Sequence, residues 1–357
     1  MKRYRELNSF AFTIFHDSVY TFFFKSVLIL STVVLTIPVL QGCGMKAHPL
    51  DGDFTEEKVI SSVKLAVLKS EEGQIRSLDA LVFNDDLLNR IDCYQRMDDF
   101  SGKEVLIGSG TGRKLVLFCA NAPWEGIGWE DAYSLRKASA LKVDLEQEDS
   151  RWPVMTALMQ MEAGGNGLAE LERLTSEIEL RSVRCNFAGK PYDGEIITDA
   201  KVYLTNVNGT CSILPTEEPV MERIINHRGL IPDDIQCFKD PENIMDTIGV
   251  ISFMRSSPGI SLLCYPNTFQ EEGISTPFTR LVIEGKIQGE TWYWPININR
   301  GSGNDHEGIE RNRRYVYDLT IRSKGTKDPD IAITHEMAET EFIAEKWEEK
   351  ESYHVAF

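Results

Sequence analysis

The sequence predicts an all-β protein, two antiparallel β-sandwich domains in tandem with few short helices. Three observations carry this. Apolar and polar residues alternate with a period of two along much of the chain, the spacing of a strand between two environments. Turn-rich polar segments separate these short runs. Three glycines in "EAGGNGLAE" (162–170) interrupt the pattern near the middle, as a boundary between domains does. The 357 residues also exceed what one ordinary core accommodates.

At the N-terminal end, Val27 to Leu40 is a largely apolar run of fourteen residues behind Lys25. It is short of the roughly 20 needed to span a bilayer and fits the apolar region of a signal peptide. Lys2, Arg3, Arg5 and Lys25 supply the basic flank, and Leu40-Gln41-Gly42-Cys43 is similar to the lipobox of bacterial lipoproteins. The expectation is cleavage between Gly42 and Cys43, with Cys43 as the lipidated anchor. Residues 1–26 are long for a basic leader and carry no function in this reading. The division that follows is a lipoprotein signal peptide (1–42), an N-terminal β-sandwich domain (43–165), a C-terminal β-sandwich domain (166–333) and a C-terminal hairpin (334–357).

In the first domain, Val59, Ser61, Val63, Leu65 and Val67 alternate with Ile60, Ser62, Lys64, Ala66 and Leu68. "SLDALVF" (77–83) and "KLVLFCAN" (114–121) follow as further strands. In the second, Leu281, Ile283 and Ile287 share a face, as do Trp292, Trp294, Ile296 and Ile298, and then Tyr315, Tyr317, Leu319 and Ile321. Helical patterning is confined to Trp129–Leu141 and Pro219–Asn226. No internal repeat is visible in the residues.

Composition excludes some functions. The formal charge is −17; without residues 1–42, which hold four basic and two acidic residues, it is −19. Such a chain lacks the basic clusters that nucleic-acid binding needs. "GSGTGRK" (108–114) has the look of a phosphate-binding loop, but a strand follows where that motif needs a helix, so it reads as a hairpin turn. "HEMAE" (335–339) has Glu339 where a second zinc ligand would stand. His48, His227, His306, His335 and His354 are too scattered to draw a metal site. Six cysteines remain after Cys43, with no CxxC pair, and Cys119 and Cys264 read as buried free thiols inside apolar strands. With no nucleophile elbow either, the chain reads as a non-enzyme that needs no cofactor.

Late in the chain, "TWYWPININ", "GIERNRRYVYDLTIRSKGTKDPD" and "EFIAEKWEEKESYHVAF" occur in order. Together they resemble the C-terminal half of fimbrillins, the major subunits of the type V pili of anaerobic gut and oral bacteria. The lipobox, the strand at 57–68, "SLDALVFN", "KLVLFCAN" and "LERLTSEIELRSV" resemble their N-terminal half. The resemblance implies two transthyretin-like sandwiches and export to the outer membrane and cell surface as a lipidated precursor. It further implies an arginine-specific maturation protease that removes the first strand, and a groove then filled by a strand of a neighbouring pilus subunit.

The residues fit that scheme. Losing Val59, Val63, Leu65 and Val67 would uncover an apolar trough and an unpaired sheet edge. Tyr353, Val355 and Phe357 alternate as a donor strand must; the other reading is an edge strand of their own domain. No arginine lies between Cys43 and Ile75, so the candidate cleavage points are Lys69 and Arg76. The expected function is a structural subunit of an adhesive pilus, stalk-like in preference to tip or anchor. The alternative is a monomeric surface lipoprotein binding a glycan or host ligand through Trp124, Trp129 or Trp152.

Overall fold

The computed structural model describes residues 58–66, 75–100, 102–123, 127–216, 220–300, 308–334 and 337–346. Nine strands come first: β1 (Val59–Ala66), β2 (Ser77–Asn84), β3 (Ile91–Asp98), β4 (Glu104–Ser109), β5 (Arg113–Ala120), β6 (Lys142–Asp144), β7 (Met155–Glu162), β8 (Asn166–Glu170) and β9 (Glu172–Arg173). Eleven follow: β10 (Ser176–Cys185), β11 (Ile197–Thr205), β12 (Val207–Asn208), β13 (Thr210–Ser212), β14 (Ile224–Ile225), β15 (Met245–Ile251), β16 (Ile260–Cys264), β17 (Arg280–Ile287), β18 (Glu290–Asn297), β19 (Arg313–Ile321) and β20 (Ala338–Lys346).

The fold is all-β, and its two halves share one topology. In the first, a sheet ordered β4-β1-β8 faces one ordered β3-β2-β5-β7-β9; in the second, β16-β10-β19-β20 accompanies β15-β11-β17-β18. Each half begins with a strand set between one antiparallel and one parallel neighbour: β1 between β4 and β8, β10 between β16 and β19. The sheets are therefore not purely antiparallel. β1 and β8 in the first half, like β10 and β19 in the second, enter the same layer from the same end, the chain having crossed the other sheet in between.

The apolar side chains follow this layering. Val63 and Leu65 from β1, with Val105 and Ile107 from β4, meet Leu78, Ala80, Val82, Val116 and Phe118 of the facing sheet. The other face of that facing sheet is covered too. Leu81, Phe83, Leu117 and Cys119 join Trp129, Leu141, Val143 and Leu145, and this cluster runs on into the second half through Ile178, Leu204, Trp294 and Tyr317. Hence Leu78–Phe83 is buried continuously rather than alternating, as a strand covered on both faces must be, and the one charged side chain in it, Asp79, is paired with Tyr94 and Arg96.

Several expectations need correction. The glycines at 164, 165 and 167 do not end the first set of strands, because β8 pairs with β1 and β9 with β7. Pairing passes to the second set between Arg173 and Ser176, later than the division placed at 165/166. The glycine loop between β4 and β5 is no hairpin turn: the two strands belong to different layers, and the loop carries the chain across. Trp129–Leu141 is broken into a 3₁₀ turn (Trp129–Asp131) and a short helix (Leu135–Ala138) capped by Ser134. The break serves a β-bridge between Ser134 and Arg90. Where a second helix was expected, the β-branched pair Ile224–Ile225 extends instead against Val207–Asn208, and the helix lies further on, at Pro232–Gln236.

Candidate functional site

The seat of β1 is where the sequence places the function, and it is built from both neighbours. Register against β4 runs from Val59 opposite Ser109 to Lys64 opposite Glu104; against β8 it runs from Ser62 opposite Asn166 to Ala66 opposite Glu170. Loop carbonyls and amides extend both ladders. The Ser62 amide donates to Gly165 O (3.1 Å), the Leu65 amide to Lys103 O (2.8 Å) and the Leu171 amide to Ala66 O (3.0 Å). Val63 is fully buried and Leu65 is 7% exposed, whereas Ile60 on the opposite face is 67% exposed.

Ser61 also points inward, and its hydroxyl accepts a hydrogen bond from the Gly164 amide at 2.9 Å. Gly164 has φ of +80°, and a Cβ there would lie 2.7 Å from Val59 Cγ1. At Gly167 a Cβ would meet Met159 Cε at 2.4 Å and Val63 Cγ2 at 3.8 Å. These glycines let β1 lie close against the turn and β8. They are site residues that the sequence reading took for a boundary; their spacing opposite an alternating apolar strand was the available signal.

Of the residues expected here, Val63 and Leu65 face the trough, Val59 is half-buried at its mouth, and Arg76 is exposed at the start of β2. Gly42, Cys43, Val67, Lys69, Tyr353, Val355 and Phe357 lie outside the described residues. The backbone around Arg76 is tied down. Its amide donates to Asn121 Oδ1 (2.7 Å), and its carbonyl accepts from the Phe100 amide (2.8 Å). Ser77 O in turn accepts from the Asn121 amide at 2.9 Å. A protease needs an extended, released backbone, so a cut after Arg76 requires local opening.

At the other end of the chain, β20 pairs with β19 along its whole length, from Ala338 opposite Ile321 to Lys346 opposite Arg313. The described part of the expected C-terminal hairpin is thus one edge strand of its own sheet. Trp129 is buried and stacked on Tyr94, with ring centroids 6.2 Å apart. Trp152 is half-buried, and Trp124 lies outside the described residues. Cys119 and Cys264 are buried free thiols, and Cys93, Cys185, Cys211 and Cys237 are free as well. Burial pushes the Cys93 and Cys211 thiols up to about 11. Neither is a thiolate at neutral pH. Among the described residues, no three His, Cys, Asp or Glu side chains gather as metal ligands would.

No family model matches the chain, and no curated protein matches it. Solved structures do. A "putative cell adhesion protein" from Bacteroides eggerthii DSM 20697 superposes with a TM-score of 0.61 at 15% identity, over 83% of this chain and 98% of that one. Another of that description, from Parabacteroides distasonis ATCC 8503, gives 0.58 at 16% identity over 82% and 100%. A fimbrilin from Porphyromonas gingivalis W83 gives 0.55 at 16% identity over 81% and 97%. The chain has the fimbrillin fold. At these identities the likeness is one of fold, and it covers nearly all of each solved fimbrillin-like chain.

Proposed function

We propose that the chain is a structural subunit of a surface pilus, exported as a lipoprotein through Cys43 and polymerised by strand exchange at the seat of β1. The observation that carries this is the way β1 is held. It lies between two strands, contributes two buried apolar side chains, and is bound by backbone hydrogen bonds that any strand of matching alternation can supply. The fold shared with a fimbrilin supports the same reading.

Maturation would release β1 by a cut at Lys69 in preference to Arg76, whose backbone is engaged on both sides. A neighbouring subunit's Tyr353, Val355 and Phe357 would then occupy the positions of Val63, Leu65 and the residues flanking them. The role is stalk-like: among the described residues the long strands divide between two sandwiches, with no third one added. The partners are other pilus subunits, a maturation protease, and outer-membrane lipid through Cys43. A glycan-binding monomer loses support from the burial of Trp129.

The test compares protein trimmed between residues 67 and 74 with the same protein lacking residues 353–357. Trimmed wild type should form ladders on a gel and the trimmed deletion variant should stay monomeric, while before trimming the deletion should leave the melting temperature unchanged. Ladders from the deletion variant would sink the donor assignment. In cells, Cys43→Ala should abolish palmitate labelling of the full chain.

A further inference from the structure

The turn between β2 and β3 displays two leucines to solvent. Leu87 is fully exposed and Leu88 is 60% exposed, yet the turn that presents them is built to hold its shape. Asp86 Oδ1 accepts from the Leu88 amide (2.9 Å) and the Asn89 amide (2.8 Å), and Asn89 adopts φ of +42°. A second segment braces it. The Leu135 amide donates to Asn89 O (3.0 Å) and the Ile91 amide to Tyr133 O (3.0 Å), which ties the backbone of Tyr133, whose ring is exposed, to the base of the turn.

Arg90, Arg136 and Lys137 are exposed around this tip, and none forms an ion pair among the described residues. Lys137 Nζ lies 5.9 Å from the centroid of the Tyr133 ring. The nearby acids are accounted for in part: Asp86 caps the turn, and Asp85 pairs with Arg113 at 3.3 Å. Glu130 and Asp131, just upstream, are exposed and moderate the local charge. Aliphatic tips beside an aromatic ring and bases are the chemistry of a lipid interface: leucines enter the acyl boundary, tyrosine sits at headgroup level, and bases meet phosphate.

The tip shares an end of the first sandwich with the start of β1. Val59 stands opposite Ser109, the chain after Ser109 crosses at Gly110–Gly112 to Arg113, and Arg113 O accepts from the Asp85 amide at 3.1 Å. Residues 44–57 connect Lys58 back to Cys43, a stretch that reaches at most about 50 Å when fully extended. A lipid on Cys43 would bring this end to the bilayer without fixing its angle.

We infer that the Leu87–Leu88 tip, with Tyr133, Arg90, Arg136 and Lys137, docks on an anionic lipid surface and orients the tethered precursor. The choice of this end rests on the Cys43 reading; the affinity of the tip for lipid does not. The test therefore uses the unlipidated chain from residue 43 with Cys43→Ser. The probe is vesicles of phosphatidylethanolamine and phosphatidylglycerol, with phosphatidylcholine vesicles for comparison. The chain should float with the anionic vesicles. Leu87→Ser with Leu88→Ser should lower partitioning about tenfold or more, and R90Q with R136Q and K137Q should lower it several-fold and remove the preference over phosphatidylcholine. All these positions are on the surface, so melting temperatures should not move. Absent binding, or equal binding by the leucine variant, would overturn the proposal. So would capture of an acidic polysaccharide without vesicle binding, or a self-association that the leucine variant abolishes in place of vesicle binding. Palmitate labelling of the full chain tests Cys43 separately.

Discussion

β1 and β10 are the same strand of the same topology, one in each half, and they are held by different means. β10 is fastened by charge as well as by backbone. Arg181 and Ser182 both bind Asp318 of β19, Arg314 of β19 pairs with Glu177 (3.2 Å) and Glu179, and Arg184 Nε donates to Thr320 Oγ1 (3.0 Å). Its ladder with β19 runs from Glu177 to Cys185, and β20 adds a further strand beyond. Residues Val59–Ala66 of β1 make no ion pair with either neighbour among the described residues. Their polar side-chain links among the described residues are Ser62 to Glu104 on one side and Ser61 to the Gly164 amide on the other. Charge pairs specify a partner by identity, while ladder bonds and alternating apolar side chains specify only a pattern. The first half is thus suited to exchange its strand and the second to keep it.

The sharpest way to break this comparison is to remove β1 outright. That forfeits two buried side chains at about 1.5–3 kcal/mol each and a double ladder at about 1 kcal/mol per bond, on the order of 10 kcal/mol. The cut protein should melt far lower and bind a hydrophobic dye, and a synthetic peptide of residues 58–66 should reverse both. If the melting temperature survives the loss, β1 is not a structural element of its half.

Next in size, Asp318→Ala removes the shared partner of Arg181 and Ser182 and should cost about 3 kcal/mol in urea unfolding. The matching change in the first half, Ser62→Ala, should stay within about 0.5 kcal/mol. Comparable losses at the two sites would mean that β1 is as firmly specified as β10.

A third prediction asks whether the halves melt together. A ribbon of β6 and β13 joins them, and beside it the buried Glu148 accepts from the Val154 amide (3.1 Å) and from the Tyr265 hydroxyl (2.9 Å). Burial pushes its carboxyl up to about 7, against the pull of those two bonds and of Arg173. The native state therefore holds a proton that the unfolded chain, titrating near 4.5, has released. The associated stability is complete below about pH 4.5 and is lost as pH rises through about 7, by roughly 3 kcal/mol. Glu148→Gln should flatten that part of the melting profile for both halves at once. Two separate transitions in wild type would show the halves to be energetically independent.

The smallest effect concerns the seat itself. Gly164→Ala places a Cβ against Val59 at a positive φ and should cost about 1 kcal/mol, and it should also weaken recapture of the 58–66 peptide. An unchanged affinity would remove Gly164 from the site.

Much of this was legible because it is local. The alternation at Val63 and Leu65 assigned an inward face correctly, and the tyrosine strand at 315–321 was placed without error. What escaped is non-local. Parallel pairing of β1 with β8 joins residues a hundred positions apart, and nothing in either strand's own pattern distinguishes it from antiparallel pairing. Burial of β2 on both faces depends on what the 127–145 segment covers. The glycines at 164–167 interrupt the pattern in the same way whether they separate domains or admit a neighbouring strand. The common topology of the halves was invisible because it is shared by backbone paths and not by residues.

The two ladders flanking β1 also set how the seat bears load. Their hydrogen bonds lie largely across the strand axis, so tension along a seated strand pulls on all of them in parallel. Such a joint yields in shear, as one event, whereas a pull across the sheet would peel it bond by bond. Forced separation is governed by the barrier to that single event. A fibre whose axis runs along this strand would meet fluid drag in its stronger direction at every junction.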